Sequence, residues 1–176
     1  MKRFLSVVAV SLSFGTVAVL GTSVKSHAAT TDAKNYIYRV YNPNSGEHLY
    51  TPSEFEEKTL INFGWKDEGM SWAVPADNNF ERPFVTRLYN PNAGDHHYTD
   101  SNAEVTNLMK LGWSNDQVGF PAANKDEKGS VPVYRLYNPN AKSGAHHFTL
   151  SASERDSLVK VGWKSEGISF NEFAIK

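Results

Sequence analysis

Cysteine is absent from the 176-residue chain, which excludes a disulfide scaffold and a lipid-anchored cysteine. Stability must therefore come from a packed core, and the chain is long enough to bury one. No G-x-S-x-G elbow occurs, so no serine carries the signature of a nucleophile. Basic excess is missing as well. Lys2, Arg3 and Lys25 lie in an N-terminal leader, and without them 15 Lys+Arg stand against 19 Asp+Glu, a net of −4. Such a balance gives no general attraction to nucleic acid or anionic lipid, which call for a basic patch.

The leader is the only long apolar run. Lys2 and Arg3 open it, Phe4 to Leu20 form its apolar stretch, and Ser26-His27-Ala28-Ala29 offers small residues for cleavage after Ala28 or Ala29. This is the layout of a secretory signal peptide. An uncleaved anchor is the other reading, but the run spans a bilayer only if Ser11, Ser13, Gly15 and Thr16 count as apolar. The expectation is a signal peptide at 1–28, one domain at 29–176, no membrane insertion after cleavage, and a secreted, extracellular or cell-wall-associated monomer.

What remains is one unit written three times, at about 36–77, 83–124 and 132–176. Unit one has Tyr38-Arg39-Val40-Tyr41-Asn42-Pro43-Asn44, then Gly46 and His48-Leu49-Tyr50-Thr51. Unit two has Thr86-Arg87-Leu88-Tyr89-Asn90-Pro91-Asn92, then Gly94 and His96-His97-Tyr98-Thr99. Unit three has Tyr134-Arg135-Leu136-Tyr137-Asn138-Pro139-Asn140, then a turn two residues longer, and His146-His147-Phe148-Thr149. Alternating aromatics read as a strand, Asn-Pro-Asn-x-Gly as a turn, and His-x-Tyr-Thr as the returning strand of a hairpin. Ser53 with Glu56, Ser101 with Glu104 and Ser151 with Glu154 are capping boxes that start short helices. Gly64, Gly112 and Gly162 cap their ends, followed by Trp65, Trp113 and Trp163. A last strand is expected at Met70 to Val74, Val118 to Ala122 and Ile168 to Phe173. Apolar residues recur at matching places in these helices, Phe63, Leu111 and Val161 among them. The fold class is β-rich, with one short helix per unit. A pseudo-threefold, β-trefoil-like single domain removes exposed sheet edges. A short open α+β repeat array is the alternative.

The string Y-R-x-Y-N-P-N-x-G-x-H-x-Y-T, followed by G-W and E-G, resembles a repeat family of unknown function. That family occurs in secreted bacterial proteins, often in threes and often attached to cell-wall hydrolases. The resemblance implies an accessory binding module. Unit two departs from the pattern at Asp116-Gln117, where the others carry Glu68-Gly69 and Glu166-Gly167.

Three copies of one constellation suit binding better than catalysis, which uses singular, asymmetric sites. The expected function is non-catalytic recognition of cell-wall or host glycans through up to three equivalent loop sites. An inhibitory or other protein-binding partner of an extracellular enzyme is the alternative, and a small secreted hydrolase a more remote one. The candidate contacts surround each turn: Tyr41, Asn42, Asn44 and His48; Tyr89, Asn90, Asn92 and His96; Tyr137, Asn138, Asn140 and His146. Tyr offers a flat apolar face with a polar tip. The three repeated histidines read as ligand contacts or as strand residues bonded to a neighbouring turn. A three-His metal site would need the three strands to converge on an axis and is not expected, nor is a cofactor. The arginines Arg39, Arg87 and Arg135 read as ion-pair partners of Glu68, Asp116 and Glu166, bidentate in one version, or alternatively as groups that recognise an acidic ligand. Partners are expected to be polysaccharide or glycoconjugate, or an extracellular protein, with no nucleic acid.

Overall fold

A computed structural model describes residues 35–77 and 79–175. The expected signal peptide and its cleavage site lie outside the described residues. Unit one contributes β1 (Asn35–Tyr41), β2 (His48–Thr51), α1 (Glu54–Asn62) and β3 (Lys66–Val74). Unit two contributes β4 (Phe84–Asn90), β5 (Asp95–Thr99), α2 (Asn102–Lys110) and β6 (Ser114–Pro121). Unit three contributes β7 (Ser130–Tyr137), β8 (His146–Thr149), α3 (Ala152–Lys160) and β9 (Lys164–Phe173). The protein is mostly β. In each unit the first strand is central, with the second and third antiparallel on its two sides. Units one and three join through the Ala73–Phe173 pair into a six-stranded sheet, while unit two forms a three-stranded sheet. Among the described residues, strand pairing therefore does not close a continuous barrel.

The third strand of each unit starts four residues earlier than expected from the sequence, at Lys66, Ser114 and Lys164. Its first residues are polar, but they pair with the end of the first strand, as in Tyr41 with Lys66. The register slips between these pairs and the later ones, and a residue of positive φ sits at the slip: Gly69, Gln117 and Gly167. Gln117 is the one non-glycine residue of positive φ among those described, at 67°. It explains the departure of unit two from the E-G pattern: the backbone bend is conserved in shape, and the Asn115 side chain accepts the Gln117 N–H at 2.8 Å to support it. The bulge turns the preceding carboxylate, Glu68, Asp116 or Glu166, toward the arginine of the central strand.

Each capping serine accepts the N–H of the glutamate three residues on, at 3.2–3.3 Å. The glutamate side chains leave their own caps and cross to the next unit. Glu56 of unit one meets both terminal nitrogens of Arg87 at 2.8 and 2.9 Å. Glu104 of unit two meets Arg135 at 3.0 Å, and Glu154 of unit three meets Arg39 at 3.3 Å. Each arginine also holds its own bulge carboxylate through Nε, at 2.7 Å for Glu68, 2.5 Å for Asp116 and 2.9 Å for Glu166. The ion pairs read from the sequence are present, and a second carboxylate extends each across a junction. Because one bridges unit three back to unit one, the units form a ring.

Two triangles of buried rings fill the centre. Tyr50, Tyr98 and Phe148 have centroids 5.3–5.8 Å apart. Trp72, Phe120 and Phe170 have centroids 5.9–6.2 Å apart. All six are at most 2 % exposed. Aromatic pairs of this geometry add about 0.5–1.5 kcal/mol each beyond their burial. The Tyr50 hydroxyl bonds both the carbonyl and the N–H of Phe148, and the Tyr98 hydroxyl does the same for Tyr50. Phe148 has no hydroxyl to complete the circuit onto Tyr98.

The helices are shallower than their apolar residues suggest. Phe63, Leu111 and Val161 are 73–78 % exposed. They stand at the helix ends, just before glycines whose positive φ turns the chain away from the core, so they point outward. The following tryptophans bond back by their N–H to Leu60, Leu108 and Leu158, and are half-buried.

Candidate functional site

The twelve expected contact residues divide by role. Asn42 and Asn90 each spend their side-chain oxygen on the N–H groups two and three residues on, at 2.9–3.3 Å. Asn138 does so for Asn140 at 3.0 Å. These are Asx turns, so the acceptor oxygen that a ligand would use already serves the loop. Asn44, Asn92 and Asn140 are exposed at the turn tips.

Tyr41, Tyr89 and Tyr137 are half-buried and lean on the histidine opposite in the hairpin. The centroid distances are 4.9 Å to His48, 5.0 Å to His96 and 5.3 Å to His146. The histidines lie at the junctions between units. His48 meets His147 edge-on at 4.5 Å, and His146 meets His97 in the same way at 4.5 Å. Burial, then the neighbouring imidazole, then the nearby arginine push His48 and His146 down to about 3. Both are therefore neutral near pH 7. Glu104 and Glu154 are held down at about 2, chiefly by the facing imidazoles of His97 and His147, 3.3 Å away. At the junction of units one and two Leu49 replaces the second histidine, and His96 instead takes Glu47 of unit one at 2.6 Å. Among the described residues, no group of three or more His, Cys, Asp or Glu is arranged to hold a metal.

The three turns also meet one another. Glu47 accepts the His96 N–H at 3.0 Å, and Asp95 accepts the Ala145 N–H at 3.3 Å. The longer turn of unit three reaches both of its neighbours. Ser143 Oγ donates to the Gly94 carbonyl at 3.2 Å, and Gly144 lies against the Gly46–Glu47 backbone. A Cβ on Gly144 would stand 2.5 Å from the Gly46 oxygen, and its φ of +64° is itself unfavourable to other residues.

Between the turns of units one and three the structure has a cleft of about 570 Å³. Four of the expected residues line it: Tyr41, Asn44, His48 and Asn138. Sequence reasoning missed Trp163, Lys142 and Ser143, which form the opposite wall. The signal for Lys142 and Ser143 was the two-residue insertion of unit three, which reads as slack in a loop until the fold places it across a junction, whereas Trp163 looked no different from Trp65 and Trp113. Trp163 also meets the His147 ring at a steep angle, with centroids 6.1 Å apart. The remaining expected residues are not gathered into this cleft. A second cavity of about 570 Å³ is lined by Tyr36, Tyr38, Pro52, Val74, Phe120 and Pro121, and a smaller one of about 190 Å³ lies beside Arg39, Ser71 and Trp72. Neither holds an expected contact.

Among the described residues no helix is long and apolar enough to cross a membrane. Residues 36–173 match the family described as Domain of unknown function (DUF5648). No curated protein matches the chain. No solved structure matches it.

Proposed function

Taking as premise that this chain belongs to the DUF5648 family, we propose that it is a secreted, non-catalytic binding module for cell-wall or host glycans. In this reading the domain is a pseudo-threefold, β-trefoil-like scaffold. The observation that carries the proposal is the cleft between units one and three, where the faces of Tyr41 and Trp163 border amide, hydroxyl and imidazole groups. Apolar faces beside a few fixed polar groups are what a sugar ring needs for orientation and contact. One principal site is proposed rather than three equal ones, because the two-residue insertion that borders the cleft occurs only in unit three.

The test is co-sedimentation of the mature chain with purified peptidoglycan, together with a glycan array. Binding should be retained by Trp113→Ala and lost by Trp163→Ala and Tyr41→Ala. A wild-type chain that binds no glycan, or equal losses from Trp113→Ala and Trp163→Ala, would refute a single glycan site here. A protein partner is the second reading, favoured by the exposed apolar side chains Phe63, Leu111 and Val161 at the three helix ends. Retained glycan binding in a triple Ser variant of these residues would separate the two readings.

A further inference from the structure

We infer that the ligand of the cleft between units one and three is an anionic saccharide, and that Lys142 is the residue that selects its acidic group. This inference rests on the glycan reading above and names the class of glycan.

Lys142 is the one charged side chain among the residues that line the cleft apart from the histidine. His48, the remaining titratable cation, is neutral near pH 7. At the rim, Lys66 Nζ stands 5.9 Å from the Tyr41 ring centroid and adds a second positive charge. The carboxylates nearby are already committed. Glu47 faces His96 at 2.6 Å, and Glu68 is held by Arg39 at 2.7 Å. Lys142 and Lys66 thus bring positive charge to the cleft on a domain whose charged residues favour acid. Charge placed in a concave site acts on a ligand more strongly than the same charge on open surface.

The position of Lys142 is built rather than incidental. It lies in the two-residue insertion that units one and two lack. Immediately after it, Ser143 is tied to Gly94 and Gly144 is lodged against Gly46, so the stem of the lysine leaves an anchored backbone. A flat aromatic face on Trp163 and a cation on Lys142, both from unit three, then present one surface for a sugar ring and another for its acidic substituent. A carboxylate could come from a uronic-type sugar in a polysaccharide or from the peptide stems of a wall polymer. The chemistry at Lys142 is the same for both.

The experiment uses the mature chain with polygalacturonate, hyaluronate and peptidoglycan, each beside its methyl-esterified form, in affinity electrophoresis or sedimentation. A peptidoglycan sample stripped of its peptide stems separates the two carboxylate sources. Binding to at least one acidic polymer should weaken tenfold or more on esterification and fall as salt is raised. Lys142→Gln should remove most of that difference, and Lys142→Glu should reverse it, while Trp163→Ala should abolish binding to both forms. Equal binding of acidic and esterified polymers, or unchanged acid binding by Lys142→Glu, would overturn the inference while leaving a glycan site intact. Failure of every polymer and of the glycan array to bind the wild-type chain would overturn the glycan reading itself.

Discussion

The junction between units one and two and the junction between units three and one share a backbone plan but differ in how they are filled. At the first, Arg87 is 4 % exposed and lies between Glu56 and Asp116, and Glu47 reaches His96 past Leu49. At the second, the side chain of the corresponding Arg39 is 20 % exposed, two imidazoles replace the Leu–His contact, and the cleft opens beside them. Equivalent positions thus carry different duties. Leu49 in place of a histidine at one seam, and an insertion of two residues at the other, leave the first filled and the second with an open cleft.

The sharpest way to break this comparison is to remove the arginines. Arg87→Ala removes a buried guanidinium from the partly exposed Glu56 and Asp116 and should cost about 3 kcal/mol. Arg39→Ala, at the more solvated seam, should cost on the order of 1 kcal/mol. Urea unfolding of the two variants measures both. Equal losses would mean that the seams are energetically alike.

The next effect concerns Glu172 of unit three, fully buried where units one and two carry Val74 and Ala122. Neither of its carboxyl oxygens has a hydrogen-bond partner among the described residues, and burial pushes it up to about 9. Below pH 4.5, the ordinary value, folded and unfolded chains both hold the proton and the carboxyl adds no pH-dependent cost. Between there and about 9 only the folded chain keeps it, so stability falls as pH rises. Glu172→Val should therefore stabilise the domain by on the order of 3 kcal/mol at pH 7 and by much less at pH 4. Unfolding curves at both pH values test it, and a gain independent of pH would contradict the buried neutral carboxyl.

The smallest effect is at the centre. Tyr50 and Tyr98 each bracket a neighbour's backbone, and Phe148 leaves the circuit open at Tyr98. Phe148→Tyr should close it and add about 1 kcal/mol, read as a higher thermal midpoint. An unchanged or lower midpoint would show that the third side of the triangle differs in geometry from the other two.

The local elements were legible because their causes are local. Asn42-Pro43-Asn44 specifies its turn through the Asn side chain and the fixed φ of proline, and Ser53 with Gly64 marks the ends of α1. The early start of β3 was not legible, because Lys66 and Asp67 look like loop residues until β1 supplies their partners. The candidate site was legible in part. Tyr41 and His48 were visible as repeated residues, but repetition alone gave Tyr89 and His96 equal standing. Trp163 and Lys142 could not be recognised, since their relevance depends on a junction between residues about a hundred positions apart in the chain.

The amino-acid sequence by itself determined the threefold repetition, the strand–strand–helix–strand order within each unit, and the pairing of each arginine with its own carboxylate. Those follow from spacing, turn chemistry and charge within some tens of residues. The tertiary structure alone decided that the capping-box glutamates serve the next unit, that Phe148 interrupts the tyrosine circuit, and that the turns of units one and three border a common cleft. These depend on which side chains meet across the ring, where long-range packing and the geometry of close approach outweigh local preference.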